Sequence, residues 1–334
     1  MAVYYLQTGS EDPAYNLAFE EYVLHNRTSG SYLILWQNRS SVIVGRNQNA
    51  EAEINRSFVE QHGIRVVRRN TGGGAVYHDL GNLNYSFITD AGAPENRSAD
   101  RFTVPVVRTL RALGLDAEAS GRNDILVSGR KVSGTAQQLL RGRILHHGTL
   151  LFDSDADMIV GALNPDPTKF QSKSVQSVRS RVGSIRSALK EDMTLQDFWQ
   201  YLKTSLVQDG IVPTSLSAEE LQQVQSLKEQ KYDTWEWNFG KSPKFQTICK
   251  QRFPGGLLEL QLTVAEGNIS NIRILGDFLA LTELAPLEQA LIGCAYEESA
   301  IRAVLSRFSL PDYLGSITTD EFIMTILNKN KEAS

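Results

Sequence analysis

Arg68-Arg69-Asn70-Thr71-Gly72-Gly73-Gly74-Ala75-Val76-Tyr77-His78-Asp79-Leu80-Gly81-Asn82 is the densest signal in the chain. Three consecutive glycines sit between a strand expected at Ile64–Arg69 and strands expected at Ala75–His78 and Asn82–Ile88. Glycines let the backbone approach a ligand with no Cβ in the way, and successive N–H groups then form a concavity that suits an anion. Arg68 and Arg69 add charge and a planar fork that matches phosphate or carboxylate. Strand alternation should turn only one of the two inward. The plain alternative is a glycine-rich bend flanked by solvated arginines. No Gly-x-Gly-x-x-Gly runs into a helix and no Walker loop is present; the nearest segment, Gly129-Arg130-Lys131-Val132-Ser133-Gly134, continues with Thr135. A nucleotide would need a different cradle.

Working outward, Val3–Leu6 reads as a strand, and Asp12-Pro13 caps and opens a helix with Leu17, Tyr22 and Leu24 on its apolar side. Tyr32–Trp36 and Ser41–Val44 read as paired strands around Gln37-Asn38-Arg39. A helix near Ala52–His62 should end at Gly63, and one over Ser98–Leu113, which Pro105 interrupts or whose late start it marks, at Gly114. Asp124–Val127 turns through Ser128-Gly129 into a second strand, and another hairpin turns at Arg141-Gly142 and returns through Ile144–Phe152. Short turns joining many strands favour mixed or antiparallel sheets with packed helices over a doubly wound parallel sheet. From Met193 to Lys231 the pattern is helical, with Thr194 and Ser217 as N-caps and Glu220 completing a capping box. A domain boundary is placed near Ser242-Pro243. Beyond it, Leu257–Val264 and Ile269–Leu275 should form a hairpin, with helices near Pro286–Gly293, Glu297–Phe308 and Thr318–Asn328. The fold class is α+β, with a catalytic-sized domain over 1–242 and a small α+β accessory domain over 243–334.

Composition limits the alternatives. The 334 residues carry a net charge of −4, 41% hydrophobic and 22% charged side chains, ordinary for a globular chain with a full core. A mildly acidic chain argues against duplex nucleic acid as the main ligand. The longest apolar stretches, Leu33–Trp36 and Val42–Val44, are strand-sized, so no membrane span is expected. Glu11 and Asp12 precede any long apolar run, so no secretory signal is expected. Two cysteines, Cys249 and Cys294, fit a reducing, cytoplasmic setting.

Lys131 follows the first hairpin turn on a strand reading Lys-Val-Ser-Gly-Thr-Ala. Alternation puts Lys131, Ser133 and Thr135 on one face, and the small neighbours let the amine reach a bound anion. His146-His147 cannot easily share a metal, because adjacent strand residues face opposite ways; one should face a pocket and the other pack. No Gly-x-Ser-x-Gly elbow is present, and both cysteines lie outside the glycine-loop domain, which argues against a cysteine nucleophile there.

Taken in order, the Arg69–Asn82 block, Gly121-Arg122-Asn123-Asp124, Arg130-Lys131-Val132-Ser133-Gly134-Thr135-Ala136, His146-His147-Gly148-Thr149-Leu150-Leu151, Ser177-Val178-Arg179-Ser180-Arg181-Val182, Trp235–Gly240 and the C-terminal segment resemble the lipoate–protein ligase A family of the biotin/lipoate ligase superfamily. The resemblance implies a class II biotin/lipoate ligase-like catalytic domain. It also implies a two-step reaction: lipoate and ATP give lipoyl-AMP and pyrophosphate, and the lipoyl group then passes to a lysine of a lipoyl domain with release of AMP. Lys131 matches the family's essential lysine, bridging the carboxyl and the α-phosphate. Arg69, the backbone of Gly74, Ala75, Val76 and Tyr77, and the side chains of Asn82, Asp124, Lys131 and Thr149 match adenylate-binding positions. Leu17, Trp36, Val44, Arg69, Gly73, His78, Lys131 and His147 are the lipoate candidates. Mg²⁺ would ride on the phosphates, with Asp124 as a candidate contact.

Implied partners are lipoyl domains of 2-oxoacid dehydrogenase complexes or the glycine cleavage H protein, with lipoate or octanoate as the small molecule and the chain acting as a monomer, without nucleic acid or membrane. Arg68, Arg122, Arg179 and Arg181 could form a basic rim that steers docking, and a hinge near Gly240–Lys244 should close over ATP and then open or rotate. Two other readings differ in chemistry. One is an octanoyl or lipoyl acyltransferase of the same superfamily, which needs a core-domain cysteine. The other is a catalytically silent lipoate-binding paralogue, which has no reason to keep Lys131. At Gln137-Gln138 some members carry an arginine, so a charged contact there is absent.

Overall fold

The computed structural model describes residues 2–93, 97–121, 123–163, 181–207, 210–239 and 247–327. Arg122, Arg179 and most of the Ser177–Val182 block lie outside them, as do the Ser242-Pro243 boundary and the Gly240–Lys244 hinge.

The strands, in chain order, are β1 (Val3–Gln7), β2 (Ser31–Trp36), β3 (Ser41–Val44), β4 (Arg65–Arg68), β5 (Val76–His78), β6 (Asn82–Asp90), β7 (Ala117–Ser120), β8 (Asp124–Val127), β9 (Arg130–Leu140), β10 (Arg143–Leu151), β11 (Ile211–Pro213), β12 (Thr247–Phe253), β13 (Gly256–Ala265) and β14 (Asn268–Gly276). They form an eight-stranded sheet in the order β11-β1-β2-β6-β10-β9-β8-β7, a small sheet β4-β3-β5, and a C-terminal sheet β12-β13-β14. β1 runs parallel to β2 and β11, β3 runs parallel to β4, and the other pairings are antiparallel. The α+β reading holds.

Local chemistry explains the elements that were expected. Asp12 accepts from Ala14 N, with Pro13 opening the helix Pro13–Asn26. Ser217 and Glu220 close a reciprocal capping box on Ala218–Leu227. Ser128-Gly129 and Arg141-Gly142 all take positive φ, the geometry of two-residue hairpin turns that follow the twist of the strands.

Five expectations change. Pro105 neither interrupts nor starts its helix, which runs unbroken over Asp100–Ala112. β2 and β3 do not pair: β2 lies between β1 and β6, whereas β3 lies between β4 and β5. The Gln37–Ser40 connection therefore carries the chain from one sheet to another. The helix expected over Ala52–His62 is two pieces, Ala50–Glu53 and Arg56–Gln61, because Ile54 bridges to Leu163 and Asn55 caps the second piece. The helical stretch after Met193 is broken by β11, which adds an edge strand beside β1. The C-terminal unit also has β12 and a helix at Leu310–Leu314 beyond the expected hairpin and helices.

One side of the large sheet packs Leu33, Leu83, Tyr85, Ile125, Val132 and Phe152 against the helices Asp100–Ala112 and Leu195–Ser205. The other side is covered partly by the first helix, through Leu17, Ala18 and Val23, and by the small sheet. Because that cover is incomplete, a cavity remains on this side. The C-terminal sheet and its helices bury their own core around Leu260, Phe278, Leu287 and Phe322. Among the described residues no helix is long and apolar enough to cross a membrane.

Candidate active site

The cavity is narrow, about 100 Å³. Leu17, Trp36, Ile43, His78 and His147 line one part of it; Arg69, Gly74, Ala75, Val76, Asn84, Asn123, Lys131, Gly134, Thr135, Ala136, Gly148 and Thr149 line the rest. Leu17, Trp36, Arg69, Gly74, Ala75, Val76, His78, Lys131, His147 and Thr149 are thus brought together from segments spread over 130 residues.

Other candidates fall elsewhere. Ile43 replaces Val44, because alternation along β3 turns Val42 and Val44 into a separate core with Val59 and Tyr77. The Tyr77 side chain is buried in that core and its hydroxyl reaches Ser40 Oγ, so only its backbone is left for the role the resemblance implies. Asn82 does not line the cavity but donates through Nδ2 to Asn84 Oδ1 at 3.0 Å, and Asn84 does. Gly73 faces the C-terminal domain. Period-two spacing from Asn82 would have found Asn84.

The position of Lys131 corrects the alternation argument. In the β8–β9 ladder Asp124 faces Gly134 and Ile125 faces Ser133, but Leu126 faces Lys131, leaving Val132 as an extra residue. This bulge reverses the phase of the strand. Lys131 shares the cavity side with Gly134 and Asp124, whereas Ser133 sits on the opposite side near Tyr85. Thr135 lines the cavity with Lys131, as expected, and donates its hydroxyl to Asn123 O. The lysine folds back over Gly134: a Cβ there would lie 3.3 Å from its Nζ. The same Nζ pairs with Asp124 Oδ1 at 2.7 Å and is partly exposed. A carboxylate entering the cavity meets an ammonium group already held by one carboxylate.

Both arginines are buried, and neither forms a solvated rim. Arg68 donates to Gly45 O, Arg46 O, Gln48 O, Trp237 O and Asn238 O, tying the strand to the segment before residue 240. Its proposed role in steering a partner does not survive this placement. Arg69 donates to Ile43 O, Thr71 Oγ1, Gly72 O and Gly74 O, so it shapes the glycine loop from within. Burial brings both guanidinium pKa values down to about 10, leaving them charged at neutral pH.

A buried relay extends from Arg69. Thr71 Oγ1 contacts His147 Nε2 at 2.8 Å, and His147 Nδ1 contacts Glu20 at 2.9 Å. Ser86 Oγ donates to Glu20 at 2.5 Å and accepts from Trp36 Nε1 at 2.8 Å. Glu20 was missed by sequence reading. Its signal was a carboxylate between Leu17 and Leu24 on the buried side of the first helix.

The glycine loop also touches the C-terminal domain. Gly73 N donates to Phe278 O at 3.0 Å, and a Cβ on Gly72 would lie 2.8 Å from both Phe278 O and Ala280 N. The expected row of free amides is therefore engaged at Gly73 by the chain itself. Arg46 pairs with Glu283 across the same seam at 2.8 Å.

The two adjacent histidines divide as their strand positions dictate. His146 stacks on Phe102 at 4.8 Å, and among the described residues neither of its ring nitrogens has a partner. Burial lowers its pKa to about 3, and that of His78 likewise. Such a group is buried neutral, while the unfolded chain takes up the proton. Its contribution to stability is full above pH 6.5 and is lost as pH falls toward 3. His146→Phe is expected to remove ~2 kcal/mol of this loss at pH 5. Urea denaturation at pH 7 and pH 5 checks it, and equal pH slopes for variant and parent would refute it.

Comparisons with known proteins agree with this architecture. The family description "Lipoyl protein ligase A/B catalytic domain" matches residues 12–207, which makes the class that of the lipoyl ligases. "Bacterial lipoate protein ligase C-terminus" matches residues 242–326. Lipoate-protein ligase LplJ of Bacillus subtilis is 44% identical over 317 residues, 93% of this chain and 96% of that protein. Lipoate–protein ligase 1 of Staphylococcus aureus is 40% identical over 314 residues, with 93% and 96% covered. The chain belongs to the lipoate–protein ligase family and is an enzyme of that kind.

Among solved structures, a lipoate-protein ligase A bound with ATP matches with a TM-score of 0.62 at 28% identity, covering 72% of this chain and 98% of that one. A bipartite lipoate protein ligase of Thermoplasma acidophilum, described with its E2 lipoyl domain, matches with a TM-score of 0.65 at 29% identity, covering 74% and 100%.

Proposed function

We propose that the chain joins lipoate to a lysine of a lipoyl domain in two steps that use one cavity. The observation that carries this reading is the Lys131 amine, held over Gly134 at a cavity with one apolar side, made by Leu17, Trp36 and Ile43, where an acyl chain can lie. In the first step a lipoate carboxylate oxygen attacks the α-phosphorus of ATP. The new O–P bond forms as the bond to the β-phosphate oxygen breaks, and pyrophosphate leaves with the electron pair. Lys131, drawn from Asp124 to the incoming carboxylate and the α-phosphate, stabilises charge that is largest in the transition state.

In the second step a neutral lysine amine of the lipoyl domain attacks the acyl carbon. The C–N bond forms, the bond to AMP breaks, and the amine's proton passes to solvent. Leu17, Trp36 and Ile43 would hold the lipoyl chain and exclude water from the mixed anhydride. No enzyme nucleophile is required.

Magnesium carried by the phosphates would supply further charge neutralisation on them. Asp124, beside Lys131, is the residue that would hold it. The acceptors this reading favours are lipoyl domains of 2-oxoacid dehydrogenases or the glycine cleavage H protein, met by a monomer in the cytoplasm. The division at residues 242 and 243 is supported by the C-terminal family match beginning at 242.

The test is to mix the protein with lipoate, ATP, magnesium and an unlipoylated lipoyl domain. Lipoylation should be accompanied by one pyrophosphate and one AMP per acceptor. Acyl transfer from an octanoyl carrier protein without ATP would instead identify an acyltransferase.

A further inference from the structure

β6 presents three short polar side chains to the cavity side, Asn82, Asn84 and Ser86, at every second position. Ser86 is engaged by Glu20 and Trp36. Asn84 is different. Its Oδ1 accepts from Asn82 Nδ2 at 3.0 Å, which leaves Nδ2 as its remaining donor. Asn84 is 1% exposed and lines the cavity, yet Nδ2 has no acceptor among the described residues. Native structures pair their buried donors almost without exception, and an unpaired one in a site needs an explanation.

The sheet register supplies one. Asn84 lies opposite Thr149, and Thr149 Oγ1 accepts from Gly134 N at 3.1 Å. Gly134 is the residue over which Lys131 folds. Asn84 and Lys131 therefore flank one stretch of floor from positions two strands apart, about 10 Å between backbones. A carboxyl group laid across that stretch offers an oxygen to each.

We infer that Asn84 is a further substrate contact: its Nδ2–H donates to the acyl oxygen of the acid that Lys131 engages. This rests on the ligase reading above and adds to it a role in the second step. When the acceptor amine attacks, the carbonyl π pair moves onto that oxygen, and a fixed donor there lowers the barrier before AMP departs. The donor is in place before reaction, so no reorganisation is needed.

The test uses the full-length protein and preformed lipoyl-AMP labelled with ¹³C at the carbonyl. Transfer to a lipoyl domain should fall about 100- to 1000-fold in Asn84→Ala and at least as far in Asn84→Asp, which sets an anionic oxygen against the substrate. Asn84→Ser, which keeps a small hydroxyl able to accept from Asn82 and to donate, should fall between. The carbonyl stretch of the bound adenylate should lie below its value in free solution for the parent and rise in the Ala and Asp variants, a change that loosened packing alone would not produce. Unchanged transfer in Asn84→Ala overturns the inference. So does a parent carbonyl band at its free-solution position, which needs no variant to fold. Failure of the ligase reading is seen separately, as an absence of pyrophosphate from lipoate and ATP with the unaltered protein.

Discussion

Lys131→Ala is expected to lower lipoate-dependent pyrophosphate release by ~1000-fold, with the fold intact. The removed group is a preorganised cation at the point where negative charge concentrates during attack on phosphorus, and the loss of one such donor costs ~3–4 kcal/mol of transition-state stabilisation. Two features raise the effect here. Asp124, now unpaired, remains 2.7 Å from where the amine stood and opposes an incoming carboxylate. The shorter side chain also leaves the Gly134 floor open to water. Because Lys131 is partly exposed, its removal leaves no buried charge, and the melting temperature should change little. Lys131→Arg should not restore activity: the amine folds over a glycine to reach its position, and a planar fork cannot follow that path. Full adenylation by the alanine variant, measured as pyrophosphate released per lipoate, would overturn the mechanism.

Gly45→Ala is expected to reduce kcat/KM by ~100-fold although Gly45 lines no part of the cavity. A Cβ at this position would stand 1.9 Å from Gly73 O. The obstacle is backbone, so no rotamer change relieves it and the glycine loop must shift. A shift of about 1 Å in a positioning element costs on the order of a hundredfold in rate. Overpacking of this kind also costs about 1–3 kcal/mol of stability. Gly142→Ala is the matched control: Gly142 has a positive φ of 78° but nothing within 4 Å of its would-be Cβ, so it should lose a little stability and no activity. Equal activity losses in the two variants, measured by steady-state kinetics beside thermal melts, would show that strain and not loop displacement matters.

What the sequence made legible was local. The two hairpins could be read because Ser128-Gly129 and Arg141-Gly142 are residue pairs that tolerate the backbone they adopt. The caps at Asp12 and Ser217 could be read because donor and acceptor lie within three residues. The site was legible in blocks, since Arg69, His78, Lys131, His147 and Thr149 lie within recognisable segments and converge on one cavity.

The misreadings came from effects that a single segment does not contain. Nothing between Trp36 and Ser41 says that β2 and β3 belong to different sheets, because pairing partners lie as far away as β6. The phase of Lys131 depended on one surplus residue, Val132, which only the facing strand reveals. Arg68 looked like surface charge because its carbonyl partners come from residues 45–48 and 237–238. The engagement of the glycine loop by Phe278 joins positions some two hundred residues apart.

That last contact makes two occupants rivals. Gly73 has a single amide hydrogen, and Phe278 O holds it. A phosphate or carboxylate that is to take this hydrogen must evict a carbonyl belonging to the C-terminal domain. Anion capture at the loop and attachment of the C-terminal domain are then mutually exclusive at this atom, and each weakens the other by the same factor.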